Sequence, residues 1–250
     1  MITLKGLILL EKDIGESSKS ITVLTAEKGV INIFIRGGKK SNKNSSSTQL
    51  FSFSKLCFEQ KINAKGQTNY FLNSSESIKL FYNLRLDAKR MALASYFAEL
   101  LRYTGIENSE CTEILRLTLN SFFFLNEGKK DMEQLKSIFE LRLLCEIGLR
   151  PNLIGCSKCY VYESNEMYFD FINNNLECPK CCSNTESMHK CMLDKTLLYI
   201  IRYIALTDYD RLFSFRISTK YQKKLTSFTE RFVTYNLKPN FSTLEFYKHL

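Results

Sequence analysis

Val30-Ile31-Asn32-Ile33-Phe34-Ile35-Arg36 is a strongly β-branched run, and it reads as a strand. Glu27-Lys28-Gly29 supplies the turn before it, and Ser20-Ile21-Thr22-Val23-Leu24-Thr25 reads as the strand on the far side of that turn. Further back, Ile2, Leu4, Leu7 and Leu9 open the chain, with a turn at Asp13-Ile14-Gly15-Glu16. Downstream, Phe51-Ser52-Phe53-Ser54-Lys55-Leu56-Cys57-Phe58 alternates apolar with small or polar residues, as a half-buried strand does. Asn69-Tyr70-Phe71-Leu72 follows the Lys65-Gly66 turn. Five short strands in so few residues suit a small closed barrel, because closure removes exposed sheet edges. The five-stranded OB type, over residues 1–74, is the expected architecture.

Between the third and fourth strands lies Gly37-Gly38-Lys39-Lys40-Ser41-Asn42-Lys43-Asn44-Ser45-Ser46-Ser47, too polar and too rich in Gly and Ser for a core element. From Lys28 to Phe58 the charges are Lys28, Arg36, Lys39, Lys40, Lys43 and Lys55, with no Asp or Glu. Charge runs are usually no more than solvated surface, yet ordinary surface mixes both signs. On a barrel type that binds single strands, a stretch without one acid tilts the reading toward phosphate contact.

From residue 75 to about 148 the periodicity becomes helical. Ser75-Glu76 is read as the cap of a helix carrying Ile78, Phe81, Tyr82 and Leu86 and continuing to Leu101, with Gly105 as its stop. A second helix begins at Cys111-Thr112-Glu113 and runs to Leu125. A third is capped by Asp131 and ended by Gly148 and Pro151. The pattern returns to helix from Met192 to Leu206. A last helix places Tyr221, Leu225, Phe228, Phe232 and Tyr235 on one face, with Lys220, Lys223, Lys224 and Arg231 opposite. The helical domain is thus expected over residues 75–250.

Within it, at 152–186, sits the sharpest motif: Cys156-Ser157-Lys158-Cys159 and Cys178-Pro179-Lys180-Cys181. The spacing matches a structural zinc template, in which two tight turns at the ends of a hairpin complete a tetrahedron of thiolates. Asn173-Asn174-Asn175 can supply the positive φ of the hairpin turn. A redox CxxC needs a thioredoxin-like context that is not apparent, and disulfides need an oxidising compartment. The reading is one structural Zn²⁺ held by Cys156, Cys159, Cys178 and Cys181. Four protein ligands leave no open position for chemistry. Cys57, Cys111 and Cys145 read as small core residues, and His189 as a weak substitute ligand.

The chain has 250 residues, a net charge of +9 and a sequence pI near 9.0, so an acidic partner is the first expectation. No apolar run approaches the roughly 18 residues of a membrane span, and Met1-Ile2-Thr3-Leu4-Lys5-Gly6 lacks the features of a signal peptide. With nine cysteines and no export signal, the expected location is a reducing cytoplasm. No GxxxxGK[ST], GxGxxG, HExxH or GxSxG occurs, and His189 and His249 are the only histidines, so the reading is a binding protein and not an enzyme.

In this order, barrel, helices and zinc hairpin resemble the RecO family of bacterial recombination mediators. The resemblance rests on Gly6-Leu7-Ile8-Leu9, Leu24-Thr25-Ala26-Glu27-Lys28-Gly29 and Arg36-Gly37-Gly38-Lys39-Lys40-Ser41. It rests further on Phe139-Glu140-Leu141-Arg142-Leu143-Leu144 and Gly148-Leu149-Arg150-Pro151 before the two CxxC pairs. The family often has a glycine pair before its second CxxC, where this chain has Asn173-Asn174-Asn175-Leu176-Glu177. The resemblance implies a protein that binds single- and double-stranded DNA, on the nucleoid when acting on it, and anneals complementary strands, with Arg36, Lys39, Lys40 and Lys43 as the DNA-binding residues that neutralise backbone phosphates. It also implies action with RecR and single-stranded DNA-binding protein to load RecA. The acidic tail of single-stranded DNA-binding protein is expected on the helical domain, with Arg90 and Arg142 as contacts. The competing reading is a zinc-ribbon, OB-type factor of transcription or RNA metabolism, which leaves the long helical body unexplained.

Overall fold

The computed structural model describes residues 1–37, 46–64, 66–107, 109–237 and 240–250. Two compact units make up the chain: Met1–Lys129 with Phe241–Leu250, and Lys130–Asn240.

The first unit is built on a closed barrel of β1 (Ile2–Ile14), β2 (Ser18–Thr25), β3 (Gly29–Ile35), β4 (Ser52–Ile62) and β5 (Thr68–Leu80), in the order β1-β2-β3-β5-β4. Strand β1 closes on β4, with Leu4 opposite Leu56. Every pairing is antiparallel except β3 with β5, where Ile33 faces Tyr70 and Phe34 faces Phe71. Side chains on a strand alternate between faces. On β3 this buries Ile31, Ile33 and Ile35 and leaves Asn32 exposed, and Arg36, directly after the strand, is exposed as well. Ile8, Ile21, Val23, Leu56 and Phe58 complete the interior, each fully enclosed. Each such side chain contributes about 1.5–3 kcal/mol of hydrophobic stabilisation. This is the OB-type barrel expected from the sequence.

Gly29 opens β3 at φ +63°, and a Cβ there would sit 2.0 Å from the Ile106 carbonyl oxygen. That oxygen accepts from Val30 N at 2.8 Å, and Ala26 O accepts from Cys111 N at 2.6 Å. The β2–β3 turn is therefore stitched to the segment between α1 (Ala88–Tyr103) and α2 (Thr112–Glu127). α7 (Ser242–Lys248) returns to α1, where Phe241 meets the Tyr96 ring edge-on at 5.8 Å and Glu99 accepts from Thr243 N at 3.1 Å.

The helix expected to start at Ser75 is a strand. β5 runs on to Leu80, past the boundary expected at residue 74, with Ser75 opposite Leu56, Glu76 opposite Lys55 and Ser77 opposite Ser54. The capping pattern is local, whereas closing the barrel satisfies a whole row of main-chain hydrogen bonds, and the second effect wins. A 3₁₀ turn (Tyr82–Leu86) follows, and the true cap of α1 is Asp87, which accepts from Arg90 N at 3.0 Å.

The second unit begins with α3 (Met132–Glu146), capped by Asp131 as expected. A three-stranded sheet follows, β6 (Glu166–Asp170) flanked by β7 (Asn175–Glu177) and β8 (Lys190–Asp194), then α4 (Lys195–Leu206), α5 (Tyr209–Leu212) and α6 (Thr219–Leu237). Met192 lies on β8 and not on a helix, because residues 190–194 pair with β6. Asp194 then caps α4 through Leu197 N at 2.9 Å. The sheet packs on α6 through Phe169 against Phe228 at 5.2 Å and Phe171 stacked on Tyr235 at 5.1 Å. Pro239, a residue type that cannot continue a helix, lies outside the described residues.

Candidate metal centre and nucleic-acid interface

The Sγ atoms of Cys156, Cys159, Cys178 and Cys181 all lie within 4.8 Å of one another. Cys159 and Cys178 are 3.6 Å apart. A Zn–S bond of about 2.3 Å in a tetrahedron separates its sulfurs by roughly 3.8 Å, so the four thiols fit such an ion. Local backbone geometry builds each half. Tyr160 N donates to Cys156 O at 2.9 Å, and Cys181 N and Cys182 N both donate to Cys178 O. Tyr160, directly after its pair, stands at φ +61°, a conformation costly for an aromatic residue. Asn174 supplies the hairpin turn at φ +53°. Ser157 N donates to Leu176 O at 2.8 Å and so brings the first turn against β7.

The thiols differ in acidity. Burial raises Cys156, but main-chain N–H groups of Cys159, Cys178 and Lys158 outweigh it and bring the thiol down to about 6. Cys181, hydrogen-bonded to Cys159 and Cys178, is pushed up to about 12. Metal ligation requires thiolates, so cation binding here would be accompanied by proton release.

Beside the sulfurs stands an ion cluster that the spacing rule does not reveal. Glu177 takes Lys158 at 2.9 Å and Lys190 at 2.5 Å. Burial raises the Glu177 carboxyl, but hydrogen bonds from Lys190 and Lys158 reverse this and hold it at about 2. Lys158 Nζ also donates to Cys181 O at 2.8 Å. Its place between the first two cysteines signals a charge near the sulfurs; the partner Glu177 and the distant Lys190 become visible only through the pairing of β6 with β7 and β8. His189 contacts Tyr235 OH through Nδ1 at 2.9 Å and is not among the four clustered groups. Cys111 and Cys145 are buried as expected, while Cys57 is half-buried on the outer side of β4.

Of the residues assigned to DNA, Arg36 stands exposed directly after β3, its guanidinium 4.4 Å over the Phe71 ring. Lys39, Lys40 and Lys43 lie outside the described residues. On α6, Lys224 pairs with Asp194, and Arg231 donates to Met188 O at 2.7 Å, leaving Lys220 and Lys223 as that helix's exposed cations in this stretch. Arg90 and Arg142 fall in different units. Arg90 donates to Asn126 O at 3.1 Å and lies 3.7 Å from Asp87. Arg142 is only 8 % exposed; it pairs with Glu146 at 2.8 Å, donates to Thr207 O at 2.9 Å and lies over the Tyr209 ring at 4.6 Å. Among the described residues no helix is long and apolar enough to cross a membrane.

Two family models match, Recombination protein O N terminal over residues 1–81 and Recombination protein O C terminal over residues 85–245. The DNA repair protein RecO of Acetivibrio thermocellus is 28% identical over 246 residues, 98% of this chain and 95% of the relative. That of Alkaliphilus metalliredigens is 24% identical over 251 residues and covers both chains throughout. That of Caldicellulosiruptor bescii is 26% identical over 250 residues, 100% of this chain and 99% of the relative. With both of its halves matched in order and its barrel closed as an OB fold, the chain belongs to the RecO family of DNA repair proteins.

Proposed function

We propose that this chain binds single- and double-stranded DNA, anneals complementary single strands, and with RecR helps load RecA onto gaps coated by single-stranded DNA-binding protein. One observation carries the reading: exposed Arg36 directly follows the third strand of the OB-type barrel, at the head of a segment that holds Lys39, Lys40 and Lys43 and no acid. Cations on phosphates release counterions and carry no sequence information, which suits a protein that must pair any two complementary strands. The helical unit would be a scaffold clamped by one Zn²⁺ on Cys156, Cys159, Cys178 and Cys181, with every coordination position filled by protein. For the acidic tail of single-stranded DNA-binding protein, Arg90 and Arg142 are the cations proposed. Each already holds carbonyls of its own unit, so Arg90→Ala and Arg142→Ala are to be read for stability as well as for tail binding.

The test is an annealing assay with two complementary oligonucleotides, one coated with single-stranded DNA-binding protein. Annealing faster than the protein-free rate supports the reading; no acceleration on naked or coated strands overturns it.

A further inference from the structure

We infer that Phe34 and Phe71, with Arg36 laid against Phe71, form a stacking platform for the unpaired bases of a single strand. The inference rests on the DNA-binding reading above and deepens it, because phosphate contacts alone do not distinguish bases from backbone.

Phe34 and Phe71 are register partners in the parallel β3–β5 pair. Their neighbours Ile33, Ile35 and Tyr70 point into the barrel, so alternation turns both phenyl rings outward, where each stays half-exposed. The rings are 5.7 Å apart and tilted by 33°. Arg36 Cζ lies 4.4 Å from the Phe71 centroid, and no carboxylate among the described residues pairs with it. A guanidinium placed over an aromatic ring beside the strand can add its own stacking surface for a base and offer its N–H groups to phosphate. Lys61 Nζ reaches the same ring at 5.7 Å, although Glu59, the cross-strand partner of Phe71, ties it at 2.9 Å.

Phe34 also walls an open hollow of about 500 Å³ shared with Asn32, Gln67 and Asn69. Glu107 lines it too. Uncharged carboxamides suit a base, and a carboxylate disfavours phosphate there, so the hollow favours bases over backbone. Stacking holds a base by its face, tolerates every sequence and leaves the pairing edge to a complementary strand. The bland alternative is that the two rings only cover the short β3–β5 seam. They would then be indifferent to whether a strand carries bases.

The experiment titrates the full chain against a fluorescent oligothymidylate and against an abasic oligonucleotide of equal length and charge, over a range of salt. The same titrations are run on Phe34→Leu/Phe71→Leu, which keeps apolar cover over the seam, with a thermal melt as the check on folding. Stacking is worth roughly 5- to 140-fold in affinity per base held, so the wild type should prefer oligothymidylate by that factor. The double variant should bind both strands alike, with an unchanged slope of log affinity against log salt. Salt-dependent binding with no base preference in the wild type, or a preference that survives in the folded double variant, overturns the platform and leaves the phosphate reading standing. Absence of salt-dependent binding to either strand overturns both.

Discussion

Lys136 offers the sharpest stability prediction. Its side chain, on α3, is completely enclosed, and its ammonium lies 2.8 Å from Glu230 on α6 and 3.3 Å from Glu140 one turn along α3. Glu140 is equally enclosed and accepts from Thr229 Oγ1 at 2.6 Å, whereas Glu230 is 25% exposed. At an effective dielectric of 20, the Lys136–Glu140 attraction is about 5 kcal/mol, of the same order as the cost of taking both ions out of water. The intact cluster is therefore near neutral, and the broken one is not. Lys136→Met should destabilise the second unit by about 3–5 kcal/mol, because Glu140 is left charged and buried. Adding Glu140→Gln keeps an acceptor for Thr229 and removes the buried negative charge, so it should recover at least about 2 kcal/mol. The assay is urea unfolding followed by far-UV circular dichroism, since the chain has no Trp to report by fluorescence. In the wild type, burial lowers the Lys136 pKa, but Glu140 and Glu230 outweigh it and the net shift is upward from 10.5. That stabilisation is complete below 10.5 and is lost as pH rises through the raised value. A single variant that costs less than about 1 kcal/mol, or a double variant no better than the single, would refute the reasoning.

Removing the charges of Arg36, Lys39, Lys40 and Lys43 together should flatten the salt dependence of single-strand binding by about 0.7 in log–log slope for each phosphate no longer neutralised; an unchanged slope removes them from the interface. Metal analysis of reduced, folded protein should find one zinc per chain, and none at all would dismiss the site. If the site is structural, as proposed, Cys156→Ser should lower the thermal midpoint more than it weakens DNA binding; lost binding at an unchanged midpoint reverses that assignment. At Asp170 burial raises the carboxyl, but N–H groups of Asn173 and Ile172 outweigh it and the net shift is downward from 3.8. Its contribution is therefore present above 3.8 and lost as pH falls through the lowered value. Asp170→Asn should flatten acid unfolding in that window, and identical acid curves would count against it.

The barrel and the four cysteines were legible in the residues because both signals are local. Alternation over Val30-Ile31-Asn32-Ile33-Phe34-Ile35-Arg36 reports which side chains face inward whatever the strand pairs with, and two CxxC turns define ligand geometry wherever the hairpin lies. Asp131 as a helix cap was legible for the same reason. Residues 75–80 were not. A serine and a glutamate before an apolar run look alike in a helix start and in a barrel strand, and only the row of partners on β4 decides between them. Nor could sequence distinguish a surface arginine from Arg142, whose partners at Ile204, Ala205, Thr207 and Tyr209 are distant in the chain.

By itself, then, the sequence determined an OB-type barrel, a basic segment without acids and a four-thiol cluster able to hold a metal ion, since periodicity, charge and ligand spacing are properties of neighbours along the chain. Tertiary structure alone decided that Phe34 meets Phe71 beneath Arg36, that Lys136 lies sealed between Glu140 and Glu230, and that Lys190 closes on Glu177 beside the sulfurs. Each of these joins residues from separate elements, and which strands and helices lie side by side is settled by barrel closure and core packing, not by any one segment.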